Sequence, residues 1–176
     1  EDPDYGTAAR DLFDRIRASS PSGKAEIDRI ANGRKATPAL LGYDAAMAIR
    51  AALSVDDRRY AFELADQVIA RSGTWYRPRD DRRFTLVSTA ALVSALEALD
   101  EAHYRRTIDK MRARLANSQE ASGAWLENET QPSAQATLAL LYSPQAAERE
   151  AAQRGVRWLI STLLEKGSLA TFNDYM

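Results

Sequence analysis

Apolar positions in this chain recur at helical spacing in two alternating styles. Three segments are apolar nearly all round: Pro38 to Leu53, Phe84 to Leu99 and Pro132 to Tyr142. A helix with no polar face is predicted to be buried on every side. Between and after them lie amphipathic segments, Asp56 to Arg71, Ala102 to Asn117 and Pro144 to Glu165. In the second of these, Tyr104, Ile108, Met111 and Leu115 step by four, three and four, which is one stripe of a helix. Arg105, Arg106, Lys110, Arg112 and Arg114 are predicted to form its solvated side. An earlier pair, Tyr5 to Ala18 and Lys24 to Asn32, is less regular. Inner and outer helices therefore alternate, as in a layered array of αα-hairpins.

The punctuation agrees with this reading. Thr37-Pro38 and Ser143-Pro144 each place a capping oxygen before a proline suited to the first helical position, and Asp100 is placed to cap the helix through Ala102. Gly73, Gly123 and Gly167 each follow an amphipathic segment, where a left-handed residue ends a helix well. Composition supports helix throughout. The 32 Ala favour helix, and only 12 Val plus Ile are present to favour strand. A chain of 176 residues suffices for one globular unit, divided here into N-terminal capping helices over 1–36 and hairpin repeats over 37–176.

An internal repeat underlies the alternation. Lys110, Leu115, Gln119, Gly123 and Trp125 are spaced like Arg154, Leu159, Leu163, Gly167 and Leu169, 44 residues further on. A third, eroded copy ends at Gly73-Thr-Trp75. The segment Lys110-Met-Arg-Ala-Arg-Leu-Ala-Asn-Ser-Gln119-Glu-Ala-Ser-Gly123-Ala-Trp125 resembles the QW motif of the squalene–hopene cyclases and their relatives. Arg154-Gly155-Val-Arg-Trp158-Leu159 looks like the opening of a second motif, and Pro132 to Leu141 is similar to the inner helix between consecutive motifs. The resemblance spans Pro38 to Leu169 and implies an (α/α) toroid, with Gln119, Gly123, Trp125, Gly155 and Trp158 as structural motif positions. Six hairpins of ~45 residues would need about 270 residues. This chain is therefore expected to form a partial or open toroid of three to four antiparallel hairpins. Its open end invites a homodimer or further domains.

The chemistry of that superfamily does not carry over. The Asp-x-Asp-Asp motif that protonates alkenes in the cyclases is missing; Ser54-Val-Asp56-Asp57 and Arg79-Asp80-Asp81-Arg82 lack its first Asp. The prenyltransferases of the same fold hold zinc with Asp, Cys and His, whereas this chain has no Cys and one His, His103. No metal and no cofactor is expected. With 24 Lys+Arg against 25 Asp+Glu there is no basic field for nucleic acid, and no run of ~20 apolar residues spans a membrane. The start at Glu1-Asp2-Pro3-Asp4 suits a removed secretory signal or a domain boundary alike, leaving secreted, periplasmic and cytoplasmic locations open.

Candidate binding residues gather in the long outer-to-inner connections, which a toroid brings to one mouth. They carry Trp75, Tyr76, Arg77, Asp80 and Asp81 in one loop and Glu127 and Glu129 in the next, with Gln135 on the floor between. Aromatic faces, arginines and carboxylates together suit a polyhydroxylated or glycan ligand. The opposite connections, at Val55, Asp100 and Ser143, are too short to build a site. Three functions fit this pattern: a non-catalytic module for ligand binding or scaffolding, a carbohydrate-active toroid (polysaccharide lyase or glycoside hydrolase), and a terpene cyclase-like enzyme with a lost or remote acid. Asp80/Asp81 and Glu127/Glu129 would be the acid and base of the second.

Overall fold

The computed structural model describes residues 7–12, 14–15, 38–75 and 82–166, and all regular structure among them is helical. The six long helices are α1 (Pro38–Ser54), α2 (Arg58–Trp75), α3 (82–99), α4 (101–117), α5 (Thr130–Leu141) and α6 (Ala146–Lys166). Their positions follow the two sequence styles closely: α1, α3 and α5 are the apolar segments, and α2, α4 and α6 the amphipathic ones. The chain turns between α3 and α4 on Asp100 alone, whose φ of −168° and ψ of 92° are extended. Arg112 pairs with Glu97 across this turn. In one continuous helix, residues fifteen apart would lie ~22 Å from each other, so α4 folds back on α3. α1 packs on α2 and on the α3–α4 pair, and α5 packs on that pair and on α6.

Each amphipathic helix opens on a side-chain cap. The Tyr60 N–H donates to Asp57 Oδ1 at 3.1 Å, the His103 N–H to Asp100 Oδ1 at 2.9 Å, and the Gln145 N–H to Ser143 Oγ at 3.1 Å. These caps satisfy amide donors that have no partner within the helix. The apolar helices end in a complementary way, on arginines from earlier in the chain. Arg10 donates to Val55 O just beyond α1, Arg58 Nη2 to Leu99 O of α3 at 2.6 Å, and Arg112 Nε to Ala139 O of α5 at 3.1 Å. A cation at the carbonyl end of a helix both fills an orphan acceptor and complements the macrodipole.

The core runs through all three pairs, from Ile49, Leu64 and Val68 through Leu92, Leu96 and Ile108 to Trp125 and Leu140. The stripe Tyr104, Ile108, Met111 and Leu115 is buried as its spacing predicts. Arg112 is not on the solvated side: the residue is only 2% exposed. It stands at i+4 from Ile108 and i−3 from Leu115, so it shares the buried stripe, and its guanidinium finds Glu97 and Ala139 O there. Burial on every side holds over residues 86–93 of α3, but not at Ala98 of the same helix nor for its neighbours. α1 exposes Asp44, Met47 and Arg50, and α5 leaves Leu138 53% exposed. The α3–α4 pair has α1 against it as well as α5.

Two glycine expectations need correction. Gly73 does not end α2, which continues through it to Trp75. Glycine costs a helix interior only ~1 kcal/mol, so it does not by itself stop one. Gly123 is left-handed, with φ +93°, yet α4 stops six residues earlier at Asn117, so the residue shapes a loop and not a helix end. Thr37, Gly167, Leu169 and most of the two N-terminal helical segments lie outside the described residues.

Candidate functional site

The connection from α4 to α5, residues 118–129, is the described part of the expected mouth, and its motif residues join one hairpin to the next. Gln119 Nε2 donates at 2.8 Å both to Gly123 O in its own loop and to Ala151 O of α6. Its Oε1 accepts from Arg154 Nε at 3.0 Å. One amide thus uses both ends to tie the loop to the next hairpin. Trp125 is 0% exposed, and its indole N–H donates to Leu115 O at 2.8 Å. Its backbone N–H donates to Ser133 Oγ at 2.9 Å, while that hydroxyl donates to Glu129 O at 2.6 Å. Gly155 lies against the ring: a Cβ there would stand 3.0 Å from Trp125 Cζ3 and well inside contact of Thr137 Oγ1. A Cβ on Gly123 would approach Arg154 O to 2.8 Å. The two glycines let α6 close onto the loop.

Gly155→Ala should therefore destabilise the protein by about 1–3 kcal/mol, the usual cost of overpacking, although alanine is the better helix former. Adding Thr137→Ala removes the atom in the way, so the double variant should lose less than the sum of the single changes. Denaturant midpoints of the four proteins check this.

The loop also carries an unusual backbone. Leu126, Glu127 and Asn128 have φ of +50°, +56° and +67°, three consecutive left-handed residues with no glycine among them. Each such residue costs ~1–2 kcal/mol unless its surroundings hold it. Here the Glu127 N–H donates to the Glu120 carboxylate, and the Glu129 N–H reaches Trp125 O and Leu126 O at 3.2 Å. The result puts Glu127 at the exposed tip of the loop. Glu129, half-buried, is the N-cap residue of α5, where its carbonyl accepts the first helical hydrogen bond from Ser133. Gln135 is half-buried one turn and a half further along α5.

The structure thus brings Glu127, Glu129 and Gln135 to one hairpin junction. Trp158 is half-buried on α6, one turn after Arg154. Trp75 ends α2; Tyr76, Arg77, Asp80 and Asp81 lie outside the described residues. Sequence reasoning missed the left-handed run, because Leu-Glu-Asn carries none of the glycine that signals positive φ. Three further polar clusters occupy the opposite end. Tyr104 Oη donates to Asp66 Oδ1 at 2.9 Å, and burial together with that carboxylate raises the phenol well above its ordinary pKa. Ser143 Oγ donates to Glu148. Exposed His103 stacks edge-on with Phe62 and Tyr104, with ring centroids 5.8 and 4.6 Å away. Among the described residues no three His, Asp or Glu side chains gather as a metal-ligating group, and no helix is long and apolar enough to cross a membrane.

No protein-family model matches the chain, and neither a curated protein nor a solved structure does.

Proposed function

We propose that this chain is a non-catalytic module of QW-type helical hairpins, an open (α/α) array that binds a ligand or scaffolds a partner without a cofactor. The supporting observation is where the motif's polar groups go. Gln119, Arg154, the Trp125 indole and Ser133 are all engaged in holding one hairpin to the next. The repeat then serves architecture, and the array is free to vary its loops, as scaffolds do.

A ligand role for the α4–α5 loop is favoured by its left-handed run, since conformations of this kind cluster at binding sites. Glu127 and Glu129, with Arg77 and Asp81 of the preceding connection, suit a polyhydroxylated ligand. If the same carboxylates worked as acid and base, the chain would be a carbohydrate-active enzyme.

A panel of neutral and uronate oligosaccharides, titrated while tryptophan fluorescence is followed, separates these readings. The module is expected to bind without turnover, and Glu127→Ala, Arg77→Ala and Asp81→Ala are expected to abolish binding while barely shifting the melting temperature. New unsaturated sugar ends, seen by ultraviolet absorbance, or new reducing ends would make it a lyase or hydrolase and overturn the non-catalytic reading.

A further inference from the structure

Among the described helices α5 alone carries no charged residue, and the uncharged stretch runs from Thr130 to Ala147. α1, α2, α4 and α6 all expose charges to water. α5 buries Pro132, Ser133, Ala136, Thr137, Ala139 and Leu140. On its opposite side Gln131, Gln135, Leu138 and Tyr142 step by four, three and four, so they line up in one narrow stripe. Leu138 is 53% and Tyr142 80% exposed, and the two glutamines are half-buried. No described residue bonds either amide or the phenol hydroxyl.

The chemistry of this stripe selects among ligands. A tyrosine ring so exposed offers a flat apolar face, and carboxamides offer paired donors and acceptors. A neutral sugar uses that combination. Its C–H face covers the aromatic ring and the neighbouring leucine, and its hydroxyls both donate to and accept from the amides. A uronate needs a cation, and the stripe has none. The guanidinium that reaches α5, Arg112, is buried and shared between Glu97 and Ala139 O. Glu127 and Glu129, just before the first turn of α5, would repel a carboxylate. A protein partner needs ~800 Å² on each side with a dry apolar centre, which four side chains, two of them amides, do not supply. From Gln131 to Tyr142 the stripe is roughly 16 Å long, which suits several linked sugar rings and exceeds one. We infer that the stripe on α5 binds a neutral oligosaccharide, with Tyr142 as the stacking platform and Gln131 and Gln135 as the groups that read its hydroxyls. This names the ligand class for the glycan-binding reading above and rests on it.

Calorimetric titration of the full chain with cellohexaose, xylohexaose, maltohexaose, chitohexaose and hexagalacturonate tests the inference. At least one neutral hexaose is expected to bind, with an affinity indifferent to added salt, and hexagalacturonate is not. Tyr142→Ala should weaken binding about tenfold and Gln135→Ala about fivefold. Tyr142→Phe, which keeps the stacking face, should bind nearly as wild type. The melting temperature of each variant should stay close to that of wild type, which separates lost binding from lost folding. Binding of hexagalacturonate alone, or neutral binding that survives Tyr142→Ala, would overturn the inference. Failure of every hexaose to bind would do the same, whether or not a protein occupies the stripe. Binding lost in Glu127→Ala but kept in Tyr142→Ala would overturn it while leaving the module reading standing. Cleavage of the bound hexaose, with the dependence on Tyr142 intact, would reverse only the non-catalytic reading.

Discussion

Trp125→Ala is expected to lower the free energy of unfolding by about 3–5 kcal/mol, the range for emptying a large aromatic site in a core. Its side chain is fully buried in the loop between α4 and α5, with its indole N–H on Leu115 O of α4 and Gly155 of α6 against its edge. The lost hydrogen bond is a minor part of that cost. Leu115 O, which accepts from the indole, also accepts from Ser118 Oγ at 2.9 Å, so no carbonyl is orphaned. The cavity dominates. Trp125→Phe, which keeps most of the volume, should accordingly cost much less than the alanine variant. Urea unfolding followed by circular dichroism checks both. A loss below about 1 kcal/mol for the alanine variant would mean that hairpin packing does not depend on the indole.

Arg112→Ala should be the next most severe change, at about 1.5–3 kcal/mol, because it removes a buried guanidinium that makes two charge-assisted hydrogen bonds, one of them to the half-buried Glu97. The guanidinium is the partner of Glu97 and the cap of Ala139 O at the end of α5, so three helices lose one shared contact. The pH dependence gives a second readout. Burial raises the pKa of Glu97 above the ordinary carboxylate value, with Arg112 opposing that shift by its charge and its hydrogen bond. A carboxyl whose pKa is raised on folding binds its proton more tightly in the native state. Its contribution is therefore most favourable at low pH and is lost as pH rises from the unfolded value through the folded one. Removing Arg112 takes away the opposing charge and hydrogen bond, so the folded pKa rises further. The variant should thus be hurt most near pH 7 and should recover part of its deficit toward pH 5, relative to wild type. A deficit that is flat across this range would show that Glu97 does not carry the effect.

Helix order and type were legible because both depend on short-range chemistry. The two styles of apolar spacing, Asp100 and Ser143 as caps, and the buried stripe from Tyr104 to Leu115 all come from neighbours within a turn or two.

What the pattern did not disclose depended on residues far apart in sequence. Arg112 read as solvent-facing because a charge on a helix usually is. Its burial is possible only because Glu97 and the end of α5 arrive from fifteen and twenty-seven residues away. Gly73 read as a helix end, a choice that local propensity leaves open at ~1 kcal/mol and the rest of the chain decides. Likewise the left-handed Leu126-Glu127-Asn128 run depends on the Glu120 carboxylate and on the closure of the loop around Trp125. Periodicity in sequence therefore determined which segments are helices and which faces seek cover. Tertiary structure decided which charges those faces bury, because a buried charge is tolerated only where a distant partner meets it.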